Sequence, residues 1–483
     1  MDAVEAEQRP DSTMPPPPDG TMRPPPDGTM PPSQDSNSIA AFFKFAERGT
    51  NFATETRAGV TTFMVMAYII FVNQAILTQG FGDADPRFNA VSIAAATALV
   101  AGIMTIAMGV IGNYPFALAA GLGINAIVAF SLTGAGLSPA GAMGVIVLEG
   151  LVVTVLVVVG LREAIMNAVP LSLKRAIGVG IGLFILFIGF ANGGLVVAGT
   201  GTLVTIAYPT TPSHFVFIAG LVITIILWVM KIRGALIISI VATTILAIVA
   251  GVQKLPETFT FGTLDLQTLG AFDVGEVWKL GVVVAALTIF AIMLIDFFDT
   301  MGTVTGVAAE AGLARPDGTV PGVGRVLLVD SVAALAGGAA GTSSNTTYIE
   351  SAAGVAEGGR TGFTSVVTGV LFLLAIFIAP LASIVPGVAT APALVLVGYL
   401  MFTLIKDIPV ADVEEGLPAL LTMILMPLTF DISVGIGAGF ISWVVIKLVR
   451  GKTDQIHPLM WVVSVAFVVF FAQDWIKSLF AAA

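Results

Sequence analysis

Residues 341–351 read Gly341-Thr342-Ser343-Ser344-Asn345-Thr346-Thr347-Tyr348-Ile349-Glu350-Ser351, a run of hydroxyls and amides inside an otherwise apolar chain. An earlier stretch, Pro115-Phe116-Ala117-Leu118-Ala119-Ala120-Gly121-Leu122-Gly123-Ile124-Asn125, is too short and too interrupted by glycine for a plain membrane crossing. Short or broken segments at corresponding places in two halves of a membrane protein point to a binding site near the midplane. Each run therefore reads as an extended stretch leading into a half-helix, whose free N–H groups and positive dipole end face a ligand. Non-helical backbone survives at that depth where it lines a cavity rather than lipid.

The surroundings support a membrane reading. Of 483 residues, 56% are hydrophobic and 11% charged, against about 25% charged in a soluble domain. Apolar segments near the roughly 20 residues that a bilayer requires are expected at about 57–79, 92–112, 116–133, 139–161, 170–190, 213–230 and 234–252. A second set is expected at 280–298, 325–341, 342–356, 361–385, 390–405, 417–429 and 432–449. With the N-terminus inside, only Arg87, Lys254 and Lys279 among the basic residues of the connecting segments fall outside, as the positive-inside rule requires. Seven spans per half, an odd number, make the second half enter from the opposite side. The expected fold is thus an all-α polytopic membrane protein of about fourteen spans in a 7+7 inverted repeat, the first repeat at about 57–252 and the second at about 280–449.

The flanks differ in kind. Residues 1–39 are proline-rich, with an eight-residue near-repeat (Thr13 to Gly20, then Thr21 to Gly28), and carry seven acids against two arginines. Such a segment cannot bury a core and is expected to be a disordered cytoplasmic tail. The transporter domain then spans 40–456. Within 457–483, Leu459 to Ala472 is apolar and is followed by Gln473-Asp474-Trp475-Ile476-Lys477, which fits either an extra span or an interfacial helix. No signal peptide is expected before the first span. The chain has no cysteine, which excludes disulfides and thiol chemistry.

Carboxylates at membrane depth are costly enough to mark a substrate or ion path. Asp296 and Asp299 stand three apart, on one face of a helix, at what reads as the inner end of the eighth span; Asp299 could instead cap the turn at Thr300-Met301-Gly302. Glu350 follows Thr347 by three, a spacing that also fits a capping box. Asn125 is a lone amide in an apolar run, suited to a ligand or to helix–helix hydrogen bonding. Glu149, in the fourth span, suits packing and function equally. Asp330 and Asp431 lie nearer expected span ends, where capping or solvation accounts for them. His214 and His457 fall in expected loops, so neither a histidine relay nor a metal site within the membrane is supported. Gly451-Lys452-Thr453 lacks the earlier glycine of a phosphate loop, since Ile446 stands there. Without a nucleotide-binding domain, energy must come from an ion gradient or the substrate's own.

At these residues the chain resembles the xanthine/uracil permease superfamily, in its hypoxanthine/guanine/adenine permease branch. The resemblance is carried by Phe42-Phe43-Lys44-Phe45, Thr54 to Phe63, Met66-Ala67-Tyr68-Ile69-Ile70-Phe71-Val72-Asn73, Gly121 to Ala126, Asp296 to Gly302, and Gly341 to Gly362, in the expected order from about residue 42 onward. It implies two inverted repeats divided into a core domain (spans 1 to 4 and 8 to 11) and a gate domain (spans 5 to 7 and 12 to 14). It also implies import of purine bases with protons in a cell membrane, and a substrate site at Asn125, Asp296, Asp299, Tyr348 and Glu350. The tail lies outside the pattern.

The chemistry of those residues is compatible. A purine edge offers N–H donors beside C=O and ring-nitrogen acceptors, so carboxylates can take the donors while Asn125 and half-helix N–H groups serve the acceptors. Phe116, Phe297 or Tyr348 could sandwich the ring, although packing is the commoner use of such aromatics. Asp296, Glu350 and Glu149 are the candidates to carry a coupling proton. The expected partners are the bilayer, the purine and, as an option, a second copy in a homodimer; no nucleic acid, cofactor or metal is expected. A carrier of another solute on the same fold (uracil, xanthine, urate or an inorganic anion) is the first alternative. No basic residue lies between Phe116 and Phe130 or between Gly341 and Ala356, which disfavours the anion. A channel or a membrane-embedded enzyme is the second, with no positive sign in the sequence.

Overall fold

The computed structural model describes residues 37–160, 169–255, 264–315 and 319–481, apart from the side chains of 298 and 473–481. The proline-rich tail lies outside the described residues as far as residue 36, and Arg162 lies outside them too.

The first repeat begins with a short helix α1 (Ser38–Phe42) and continues through α2 (Phe52–Met66), α3 (Ile69–Phe81) and α4 (Ala90–Ala107). Strand β1 (Leu118–Ala120) and half-helix α5 (Leu122–Ala126) follow. Next come α6 (Pro139–Val158), α7 (Leu171–Asn192), a hairpin of β2 (Val196–Ala198) and β3 (Val204–Ile206), α8 (Pro212–Val229) and α9 (Ala235–Val249). The second repeat runs α10 (Val282–Glu310), α11 (Val323–Ala339), β4 (Asn345–Thr347), half-helix α12 (Ser351–Ala356), α13 (Gly362–Ala375), α14 (Gly387–Phe402), α15 (Val413–Thr429) and α16 (Ile432–Val449). A last helix, α17 (Pro458–Ala481), closes the described chain.

Helix starts follow local chemistry. Asn51, Asn89, Ser138 and Thr211 each accept a backbone N–H of the first turn from α2, α4, α6 and α8, and Pro139 and Pro212 occupy first-turn positions where no N–H is needed. His214 therefore sits in the first turn of α8 rather than in a loop. Nine described helices are long and apolar enough to cross a bilayer. The five other expected spans are the two strand-plus-half-helix units and α9, α11 and α15, which are shorter at 15, 17 and 17 residues.

Two bodies emerge from the packing. In one, α13 lies on α2 and α4, and α11 on α6; in the other, α14 lies on α7, α15 on α7 and α16, and α8 on α9. They correspond to the core and the gate. Paired glycines let helices in each body approach closely. A Cβ on Gly369 of α13 would lie 2.6 Å from the Gly102 carbonyl of α4, and one on Gly398 of α14 would lie 2.5 Å from the Gly182 carbonyl of α7. Gly398→Val is expected to cost about 1–3 kcal/mol through overpacking, read as a lower unfolding temperature of the purified protein. Gly134→Ala, with nothing within 4 Å of the added carbon, is expected to leave it unchanged.

The end of α10 differs from expectation. α10 does not stop near 298 but runs to Glu310, so Asp296 and Asp299 sit within a helix and Asp299 caps nothing. Gly302 and Gly306 keep helical backbone and continue the turn; the break comes at Gly312, which alone of the three lies in the left-handed region. α17 packs lengthwise on α16: a Cβ on Gly437 would lie 2.6 Å from the Phe467 ring, and Phe440 and Phe467 meet edge to face at 6.2 Å. Met460, Val463, Ser464 and Phe467 form its buried face.

Candidate functional site

The two broken runs meet each other. β1 and β4 pair antiparallel, with Leu118 opposite Thr347, Ala119 opposite Thr346 and Ala120 opposite Asn345. This is the arrangement that two inverted repeats produce when equivalent segments touch across their symmetry axis. The ladder continues beyond the strands, since Gly121 N–H donates to the Ser344 carbonyl (2.8 Å) and Tyr348 N–H to that of Ala117 (2.9 Å). Ala117 N–H donates to the Ser351 hydroxyl (3.0 Å), and Leu118 N–H to the Thr105 hydroxyl (2.9 Å). Every residue of both strands is buried, so these bonds answer the demand that backbone groups at membrane depth be satisfied.

Each strand hands the chain to a half-helix. Asn125 lies in α5, one turn after Gly121; it is fully enclosed, and neither its amide oxygen nor its nitrogen finds a partner among the described residues. The same holds for Asn345 in β4. Glu350 immediately precedes α12 and is half-buried. The capping box that its spacing allowed does not form, because Thr347 turns its hydroxyl elsewhere and Glu350 makes no side-chain cap. Instead, the Glu350 carboxylate accepts the Tyr68 hydroxyl at 2.7 Å. Tyr68 is itself fully buried at the break between α2 and α3.

Asp330 is the main correction to the sequence reading. It is fully buried in α11, neither solvated nor capping, and accepts Thr347 N–H (3.0 Å), the Thr347 hydroxyl (2.8 Å) and the Thr300 hydroxyl (2.7 Å). One carboxylate thus ties β4 to the stretch of α10 that carries Asp296 and Asp299. Asp431 does cap, accepting Ser433 N–H at the start of α16 (2.8 Å).

Asp299 accepts the Thr346 hydroxyl at 3.4 Å and so stands at the ladder, yet it is exposed, whereas Asp296 is completely enclosed. Asp299 thus marks where the buried ladder borders an accessible face of α10. Gly302, Gly306, Ala309 and Glu310 continue the exposed stripe toward the end of α10, and a Cβ at either glycine would meet nothing within 4 Å. On the opposite side the bodies close on each other. Phe430 meets Phe130 at 6.0 Å and Phe184 at 5.0 Å, its carbonyl accepts the Ser131 hydroxyl (3.2 Å), and Gln79 donates to Asn192 (2.6 Å).

Tyr348 is buried, and its hydroxyl donates to the Ala120 carbonyl, pinning the end of β4 to the end of β1. Phe116 is stacked on Tyr114 at 5.0 Å and fully buried, which makes it packing rather than a wall of the site. Phe297 is also fully buried. Glu149 is enclosed on α6 beside Gly150, whose added Cβ would lie 2.6 Å from the Leu335 Cα of α11. Sequence reasoning missed Tyr68, Asp330 and Asn345. Asn345 carried a signal, as an amide at membrane depth; Tyr68 stood in the Met66–Asn73 run with nothing local to single it out.

The architecture recurs in solved transporters. The transmembrane domain of a cyanobacterial bicarbonate transporter, BicA, superposes with a TM-score of 0.60 over 80% of this chain and 96% of its own, at 15% identity. SLC26A9 superposes with a TM-score of 0.59 over 86% and 70%, at 12% identity. These likenesses establish the 7+7 fold. In sequence, the guanine/hypoxanthine permease PbuG of Bacillus subtilis is 39% identical over 90% of this chain and 99% of its own. The adenine permease AdeP of Escherichia coli is 40% identical over 88% and 94%. The model of the permease family of xanthine/uracil type matches residues 54–438. The chain is therefore a multi-pass membrane transporter, not an enzyme, and belongs to the xanthine/uracil permease family in its nucleobase permease branch.

Proposed function

We propose that the chain imports purine bases by alternating access, coupled to protons, with the substrate held at the ladder by Asn125, Asp299 and Glu350 and with Asp296 and Tyr348 shaping the site. The observation that carries this reading is the site's polarity: carboxylates and unpartnered amides at two paired half-helices, with no cation in either run. A neutral base with donors and acceptors on adjacent edges answers both kinds of group; an anion answers neither carboxylate. The names of PbuG and AdeP support the same substrate class. Asp296, Glu350 and Glu149 are the groups available to carry the proton.

Uptake of radiolabelled hypoxanthine, guanine, adenine, xanthine and uracil in cells lacking their own carriers tests this. Saturable hypoxanthine, guanine or adenine uptake that collapses with an uncoupler is expected. Uptake indifferent to the uncoupler but abolished by removing sodium would overturn the proton assignment.

The exposed stripe along α10 and the contacts at Phe430 support the alternating-access reading, in which one side of the site is open while the other is closed. Because the chain has no native cysteine, single cysteines report accessibility without background. Gly302→Cys and Gly306→Cys are expected to react with a membrane-impermeant maleimide added from the α1 face, severalfold faster than Phe130→Cys, and saturating purine is expected to slow Gly302→Cys. Equal labelling of all three from that face would contradict the path.

A further inference from the structure

A cavity of about 620 Å³ opens on the α1 side of the core, apart from the ladder. Its lining gathers four cations: Lys44 and Arg48 from the segment after α1, Arg325 at the start of α11, and Arg360 just before α13. Among the described lining residues the single carboxylate is Glu47, already paired with Lys44 at 2.9 Å. The two inner guanidiniums are held by main-chain carbonyls. Arg48 donates to those of Asn113 (2.6 Å) and Arg360 (2.7 Å), and Arg360 to those of Val355 (2.7 Å) and Gly359 (2.8 Å). Carbonyls fix the position of a guanidinium without neutralising it, and the acids nearest Arg48, namely Glu47 and the buried Glu55, leave the four cations in excess. Arg325 is exposed, and no hydrogen bond or ion pair holds its guanidinium among the described residues. Such a cavity calls for an anion.

The rim narrows the choice. Phe42, Val110 and Ile111 are 56%, 45% and 46% exposed and line the same cavity. Helix α1 buries Ala40 while leaving Ile39 and Phe42 outside, as a short amphipathic helix does at the level of lipid headgroups. A soluble phosphate has no use for this apolar lip. Nor does the cavity suit a nucleotide: the Tyr114 ring is stacked on Phe116 at 5.0 Å and covered by Arg48 at 5.2 Å, leaving it unavailable to a base. A phosphodiester with acyl chains satisfies the cations and the lip together. We propose that this cavity binds the headgroup of an anionic membrane phospholipid, its acyl chains lying against Phe42, Val110 and Ile111. The occupant would rest on the segment that leads into β1, because Asn113 and Tyr114 line the cavity, and the Ser365 hydroxyl lies within 2.7 Å of the carbonyls of both Tyr114 and Phe116.

Native mass spectrometry of the intact protein with added phosphatidylglycerol or phosphatidylcholine tests the proposal. Phosphatidylglycerol is expected to bind about tenfold more tightly, and Lys44→Gln with Arg325→Gln to remove most of that preference. Both side chains are exposed, and the spectrum reads only folded protein. Lys254→Gln with Lys279→Gln, which removes the same charge at the α9–α10 connection, is expected to preserve the preference. Equal loss in both double variants, or none in the first, overturns the site. sn-Glycerol 3-phosphate binding as tightly as the lipid would assign the cavity to a soluble phosphate and overturn the lipid reading.

Discussion

Replacing Glu350 by glutamine is expected to lower purine affinity roughly tenfold to a hundredfold and to abolish accumulation, while the protein still folds. The isosteric amide keeps the volume, but it exchanges an acceptor-only group for one that presents N–H donors to the substrate and to the Tyr68 hydroxyl. Loss of one charge-assisted hydrogen bond costs about 1.5–3 kcal/mol, which sets the range of affinity. The amide also cannot take a proton, so uptake against a gradient should suffer more than binding does. Asp296→Asn is expected to behave alike. Calorimetry on purified variants, beside uptake in cells, separates the two effects. If Glu350→Gln and Asp296→Asn both bind and accumulate purine as the parent does, these carboxylates are structural and the site lies elsewhere.

Asp330→Asn is expected to be as damaging without touching substrate. Its carboxylate takes three donors at once, from Thr347 and Thr300, and an amide oriented to accept from one of them turns its own N–H group toward another. With each unsatisfied buried group costing about 1–3 kcal/mol, β4 should lose its fixed position relative to α10. Affinity is expected to drop at least tenfold, with a lower unfolding temperature. A positioning role further predicts that Thr300→Val, which removes only one of the three donors, gives a smaller loss of affinity in the same direction. Asp431→Asn, whose cap on α16 is worth about 1 kcal/mol, is expected to bind purine normally. Full affinity in Asp330→Asn would refute the bracing role.

The broken spans were plain in the sequence, because hydroxyls, amides and glycines clustered in an apolar chain are too costly against lipid to be incidental, and the strand–half-helix units formed where those residues stand. The placing of Asn125 and Glu350 at those units was legible for the same reason. Asp330 was not, since its position was judged by distance from an expected span end, whereas its partners come from β4 and α10. Tyr68 shows the same limit: its hydroxyl meets a carboxylate 282 residues away, and no local pattern encodes that. The unexpected length of α10 traces to ending the span at 298, with the residues after Asp299 read as a turn that the helix instead runs through. Glycine stops a helix when the backbone must turn left-handed, as at Gly312, and otherwise costs it only about 1 kcal/mol.

The ladder between β1 and β4 also constrains how the cargo moves. Opening it would strand main-chain donors and acceptors in a dry interior, at several kcal/mol for each group, and Asp330 and the Tyr348 hydroxyl brace it further. A binding platform so braced cannot flex to release its load. On the proposed function, such bracing favours displacement of the whole core along the gate over local flexing, with the seam where Gly123 packs on Ile181 as the sliding surface; bulk added at that seam is expected to slow uptake while leaving purine binding intact.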